Sequence, residues 1–157
     1  MRLFIASPIS LPTYQTIKED FKGCIKGKWV EGWNLHLTYK FIGEDDAKKY
    51  QKPLNLSKVE IKIKGLGTFS EKVLFLKVTN DLKEINEKIN KEFNLSNDKS
   101  FIPHITLCRI KEINNKEEFN LKLKKWENFS FSISSEIYLY ASTLTKKGPI
   151  YKKIYKY

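Results

Sequence analysis

The chain holds only two histidines, and each is followed two positions later by a threonine: His36-Leu37-Thr38 and His104-Ile105-Thr106. Both triplets sit in alternating apolar residues, Trp33-Asn34-Leu35-His36-Leu37-Thr38 and Phe101-Ile102-Pro103-His104-Ile105-Thr106-Leu107, which is the pattern of a half-buried strand. On a strand, residues i and i+2 share a face, so each imidazole stands beside a hydroxyl while Leu37 or Ile105 turns to a core. An unperturbed imidazole titrates near neutrality, so two facing rings can divide acid and base labour. That division suits in-line displacement at phosphorus: a neutral ring takes a proton from water, and a charged ring protonates the departing oxygen. The threonine hydroxyls can then hydrogen-bond nonbridging phosphoryl oxygens, with nearby cations balancing the growing charge.

The chemistry asks for no metal. Zinc takes three or four protein ligands, whereas the chain offers two histidines. Cys108 stands four strand positions from His104, roughly 13 Å, too far to share an ion with it. Cys24 and Cys108 form neither a CxxC motif nor a disulfide framework, which fits small apolar packing residues in a reducing compartment.

Strands and helices must position the two motifs. Arg2 to Ala6 reads as a first strand. A helix follows, capped by Ser10, with Pro12 in its first turn, Tyr14, Ile17 and Phe21 on one face, and Gly23 at its end. Trp33 to Ile42 is expected as a strand, then a short helix opening on Glu44-Asp45-Asp46. Val59 to Leu66 and Val73 to Val78 read as strands around a Gly65-Leu66-Gly67 turn. A helix capped by Thr79 or Asn80 carries the stripe Leu82, Ile85, Ile89, Phe93. Phe101 to Arg109 is the second motif strand, Asn114 to Lys124 a helix, and Trp126 to Ser135, Glu136 to Thr145 and Ile150 to Tyr155 the closing strands. Each half thus reads strand, helix, strand, helix, strand, with one motif apiece. The fold class expected is α+β and bilobal: a pseudo-twofold duplication of a β-α-β-α-β unit, with mainly antiparallel sheets flanking a central cleft.

At 157 residues the chain has the size of a single domain, 1–157. No apolar run approaches the roughly 18 residues of a membrane span, and the Met1 to Ala6 run is too short for a signal peptide, so a cytoplasmic monomer away from membranes is expected. The balance of 29 basic and 18 acidic side chains, +11, favours an anionic partner, nucleic acid first.

Longer segments around the triplets resemble the 2H phosphoesterase superfamily, in its 2′-5′ RNA ligase-like branch of RNA 2′,3′-cyclic phosphodiesterases. Met1-Arg2-Leu3-Phe4-Ile5-Ala6 is similar to that branch's opening strand, Asn34 to Glu44 to its first motif, and Phe101 to Arg109 to its second. Gly65 to Phe69 with Val73 to Leu76 resembles its central hairpin, and Ile137 to Ser142 with Gly148 to Tyr151 its closing strands. The resemblance implies hydrolysis of an RNA-end 2′,3′-cyclic phosphate to a 2′-phosphomonoester without metal or other cofactor. It makes His36 the general acid and His104 the general base, with Thr38, Thr106 and Arg109 binding phosphate; the residues by themselves leave acid and base interchangeable. RNA with a cyclic phosphate end, or a small cyclic nucleotide, is the partner implied. Two other readings use the same residues: a 2′-5′ phosphodiesterase or RNA ligase, and a module that binds an RNA end without turnover.

Four side chains carry conditions. Arg109 lies five residues past His104, so strict alternation turns it away unless a bulge intervenes. Lys40 shares parity with His36 and Thr38 and could extend toward substrate. Phe101 and Tyr151 could stack a terminal base or pack in the core.

Overall fold

A computed structural model describes residues 1–157. Its elements run β1 (Arg2–Pro8), α1 (Tyr14–Phe21), β2 (Ile25–Trp29), a 3-10 turn at Gly32–Asn34, β3 (His36–Glu44), a second 3-10 turn at Ala47–Tyr50 and β4 (Val59–Phe69). They continue through β5 (Val73–Val78), α2 (Lys83–Glu92), β6 (His104–Ile113), α3 (Lys116–Lys125), β7 (Ser130–Ser135), β8 (Tyr138–Thr145) and β9 (Gly148–Lys156). Two antiparallel sheets result, ordered β3-β1-β8-β9 and β2-β6-β5-β4-β7. The α+β class and the paired antiparallel sheets are those expected.

The four strands of the first sheet correspond to four of the second, β3-β1-β8-β9 with β6-β5-β4-β7; β6 follows its neighbour β5 through α2, and β3 follows its neighbour β1 through α1 and β2. The lobes are nevertheless woven rather than sequential. The first sheet takes β1 and β3 from the front of the chain and β8 and β9 from its end, while β2 leaves its own half to flank β6. Leu3, Ile5, Leu37, Tyr39 and Leu139 of one sheet and Ile61, Ile63, Leu74, Leu76, Ile105 and Leu107 of the other enter one continuous buried cluster with Tyr14, Ile17 and Phe21 of α1, Ile89 of α2 and Phe119 of α3. No helix is long and apolar enough to cross a membrane.

Several boundaries differ from expectation for physical reasons. β4 runs through Gly65 and Gly67 to Phe69, and Ser70 and Glu71, both at positive φ, make the turn instead. Trp33 to Leu35 lies outside β3, because Gly32 to Asn34 form a 3-10 turn. Helix α1 begins after Thr13 with no side-chain cap, so Ser10 does not cap it. Asp81 accepts from the Lys83 backbone N–H at 2.9 Å at the start of α2, in place of Thr79 or Asn80, and Asn80 bonds the Glu60 and Lys62 backbone instead.

The motif strands share an irregularity. In the β5–β6 ladder Phe75 pairs with Thr106 and Leu74 with Cys108, leaving Leu107 as an extra residue; in β1–β3, Ala6 pairs with Thr38 and Ile5 with Lys40, leaving Tyr39 extra. Each bulge thus falls three residues after the histidine and shifts the alternation by one. Val30 N–H and the Tyr14 hydroxyl reach the Leu107 carbonyl at 2.8 and 3.2 Å. β3 is an edge strand with no such neighbour, and the Asn86 side chain of α2 donates to the Tyr39 carbonyl at 2.8 Å instead.

Gly27 of β2 lies against the second bulge: a Cβ there would overlap the Arg109 carbonyl oxygen and stand 2.8 Å from Cys108 Sγ. Gly27→Ala is therefore expected to destabilise the protein by about 1–3 kcal/mol. Gly23→Ala, whose Cβ meets nothing within 4 Å, is expected to stay within about 0.5 kcal/mol. Urea unfolding of both variants provides the comparison.

Candidate active site

The motif strands lie in different sheets, yet β3 and β6 run close to one another, and the charge of one imidazole is felt by the other. His36 and His104 each open their strand. Each ring is held by the same local device: His36 Nδ1 lies 2.6 Å from the Asn34 carbonyl and His104 Nδ1 2.8 Å from that of Ile102, both two residues upstream. A carbonyl only accepts, so each Nδ1 carries the proton and each Nε2 is left with no protein partner.

Aromatic rings fix the other edges. His36 packs against Phe4 and Tyr151, with both centroids at 5.2 Å and Tyr151 edge-on. His104 packs against Phe69 at 4.9 Å and Phe75 at 5.4 Å. Phe75 itself stacks on Phe69 at 4.2 Å, over Gly67, where a Cβ would come within 2.9 Å of the Phe75 ring. Thr38 pairs with Ala6, on the face of Phe4, and Thr106 with Phe75, so each threonine shares its histidine's face. Neither hydroxyl is engaged by the protein.

The bulge at Leu107 meets the condition set for Arg109. Leu107 and Cys108 are both buried, and Arg109 then pairs with Val73 on the face of Phe75 and Thr106. Its charge is felt at Tyr151, the residue packed on His36. Lys40 goes the other way. The bulge at Tyr39 puts it in register with core-facing Ile5, and its ammonium is held by the Ser96 carbonyl at 2.7 Å and Asp98 at 3.2 Å. Its parity with His36 is lost, and it does not point at the site. Phe101 packs against the core, whereas Tyr151 stands at the first motif. Cys108 faces inward and burial pushes its thiol up to about 11, as a packing residue requires.

A hollow of about 400 Å³ opens beside His36, lined by Phe4, Trp33, Tyr140, Tyr151 and Lys153. Trp33 is 81% exposed there. A second hollow, about 440 Å³, surrounds Asp20, but that carboxylate is already held by Lys122, Lys125 and Trp126 and no motif residue reaches it. Sequence reasoning missed Trp33, Lys153 and β2. Strand β2 sets Lys28 beside Arg109, and its alternation Ile25-Lys26-Gly27-Lys28-Trp29 was the available signal.

Burial lowers the His36 pKa from the ordinary imidazole value; the bond to Asn34 opposes this and the charge of His104 adds to it. Buried apolar walls, two Nε2 atoms, two free hydroxyls and a guanidinium together suit an anion with tetrahedral oxygens that must exchange protons.

The chain is similar to known proteins in sequence and in fold. Residues 43–156 match the family described as the AKAP7 2′5′ RNA ligase-like domain. The RNA 2′,3′-cyclic phosphodiesterase of Methanocaldococcus jannaschii is 36% identical over 98% of this chain and 98% of its own. That of Aquifex aeolicus is 35% identical over 87% and 84%. Among solved structures, a Thermus thermophilus protein superposes with a TM-score of 0.76 at 23% identity, covering 100% of this chain and 97% of its own. E. coli LigT complexed with 3′-AMP superposes with 0.69 at 20%, covering 99% and 96%. These two similarities show a shared fold.

The depressed pKa of His36 has a consequence for stability. A histidine that titrates lower when folded than when unfolded lets the unfolded chain bind the extra proton. Its contribution is complete above the ordinary imidazole pKa and is lost as pH falls through the lower, folded value. NMR titration is expected to place the His36 midpoint below the free imidazole value, and His36→Gln to flatten the stability slope between the two.

Proposed function

This chain belongs to the 2′5′ RNA ligase-like family of the 2H phosphoesterase superfamily, and we propose that it is an RNA 2′,3′-cyclic phosphodiesterase. The observation that carries the reading is the matched pair of imidazoles, each Nδ1-anchored with Nε2 free, on two strands from separate sheets. The terminal cyclic phosphate lies between them. His104 Nε2 accepts a proton from water as its oxygen bonds to phosphorus, the P–O3′ bond breaks, and His36 Nε2 protonates O3′, leaving a 2′-phosphomonoester. Thr38 and Thr106 donate to the nonbridging oxygens, and Arg109 balances their charge.

Burial favours the neutral His36 ring in the free protein, whereas an acid must be charged. The arriving anion resolves this: a negative phosphate beside the ring favours its protonated form, so His36 takes up a proton with substrate. No step calls on a metal or cofactor.

The hollow beside His36 receives the terminal nucleoside, its base against Trp33 and Tyr151, a contact worth about 1–3 kcal/mol per base. Interleaving of early and late strands in each sheet supports residues 1–157 acting as one domain. The buried free thiols of Cys24 and Cys108 suit the reducing cytoplasm.

An oligonucleotide ending in a cyclic phosphate is expected to yield only the 2′-phosphate, at an undiminished rate in chelator. His36→Ala and His104→Ala should each cost about 10²–10⁴ in kcat, and Arg109→Ala about 10². Trp33→Ala should act on KM. Chromatography of the products decides: a 3′-phosphate product, or full turnover in either histidine variant, would overturn the mechanism. Inorganic phosphate is expected to raise the His36 midpoint in the same NMR titration.

A further inference from the structure

Both imidazoles lean on a carbonyl two residues upstream, but the two carbonyls are not held alike. In the second motif the intervening residue is Pro103, whose ring fixes φ and stiffens the segment between the Ile102 carbonyl and His104. Ile102 needs nothing more, and its side chain is 56% exposed. In the first motif the intervening residue is Leu35, which has no ring to fix its φ; its buried side chain and its carbonyl, which accepts from the Ile9 N–H at 2.9 Å, anchor the chain on the His36 side of the Asn34 carbonyl. Asn34 closes the difference with its side chain: Nδ2 donates to the Pro149 carbonyl at 3.1 Å, at the start of β9.

Two residues further along β9, Tyr151 sets its ring edge-on against His36. A closed circuit follows, from the Asn34 amide to Pro149, along β9 to Tyr151, from that ring to His36, and from His36 Nδ1 back to the Asn34 carbonyl. We propose that Asn34 is the positioning residue of His36, its side-chain amide gripping the β9 strand so that its own carbonyl stays on Nδ1 and Nε2 stays aimed at the cleft. Asn34 touches no reacting atom and acts only through His36. The kinetic part of this inference rests on the acid–base reading above; the geometric part does not.

Histidine ¹⁵N NMR separates the two. In the wild type both rings are expected as single Nδ1–H tautomers at high pH. Asn34→Ala, and Asn34→Asp, which keeps the shape but puts a carboxylate against the Pro149 carbonyl, should give His36 a mixture of tautomers while His104 keeps one. Cyclic-phosphate turnover should fall about tenfold in kcat with KM within about twofold. Should the alanine variant fail to fold, the aspartate variant decides alone. A single unchanged His36 tautomer, or equal changes in both rings, overturns the proposal. A His36 mixture with unchanged kcat would uphold the anchoring of the ring and overturn its kinetic part, that Asn34 keeps Nε2 aimed at the departing oxygen; the acid role itself is tested separately by His36→Ala.

Discussion

A β-strand repeats every two residues, and that period is the constraint from which this site is built. Placing a histidine, the threonine two positions on and the residue five positions on along one face is impossible on a regular strand, because the last interval is odd. One extra residue solves it, and both motif strands carry it three positions after the histidine. In β6 the shift delivers Arg109 to the motif face; in β3 it delivers Phe41, paired with Phe4, and withdraws Lys40. The two lobes therefore present a cation and an aromatic ring at equivalent positions, so the pseudo-twofold is broken where a substrate would need two different ends. Val30, Tyr14 and Asn86 matter because each bonds the carbonyl of an extra residue that the ladder cannot satisfy, and Gly27 because it makes room for Cys108 and Arg109 just past the second one.

Charge is distributed to the same end. Lys40, Lys49, Lys52, Lys62, Lys83, Lys116, Lys122, Lys125 and Lys156 all have carboxylate partners. Lys28 and Arg109, paired across β2 and β6, Lys77, paired with His104, and Lys153, over the Tyr138 ring, have none. Lysines without a carboxylate also lie elsewhere on the surface, so the excess of +11 makes the whole molecule positive, and these four cations carry that sign up to the motif strands.

Much of this was legible in the chain because its strongest signals are local. Alternation around His36 and His104 showed strands, and the stripe Leu82, Ile85, Ile89 showed α2. What stayed hidden was set by tertiary contact. Strand β2 is short, with lysines on its open face and a glycine that only the approach of β6 explains. Gly65 and Gly67 read as a turn, although Gly67 lacks a side chain where β4 passes under the Phe75 ring and Gly65, at positive φ, lies against the Glu127 backbone. Arg109 and Lys40 show the limit most clearly: alternation assigned each to the wrong face, and the correction lies in ladder register, which no local pattern reveals.

The woven order of strands also bears on how the protein is made. Arg2 finds its β8 partner only at Ser142, so the sheet beneath His36 stays open while nearly the whole remaining chain is synthesised. At ribosomal speeds of about 5–20 residues per second, that interval is on the order of ten seconds. Throughout it one hydrogen-bonding edge of β1 lacks its partner, so a chain cut short before β8 does not contain the complete sheet to which His36 belongs.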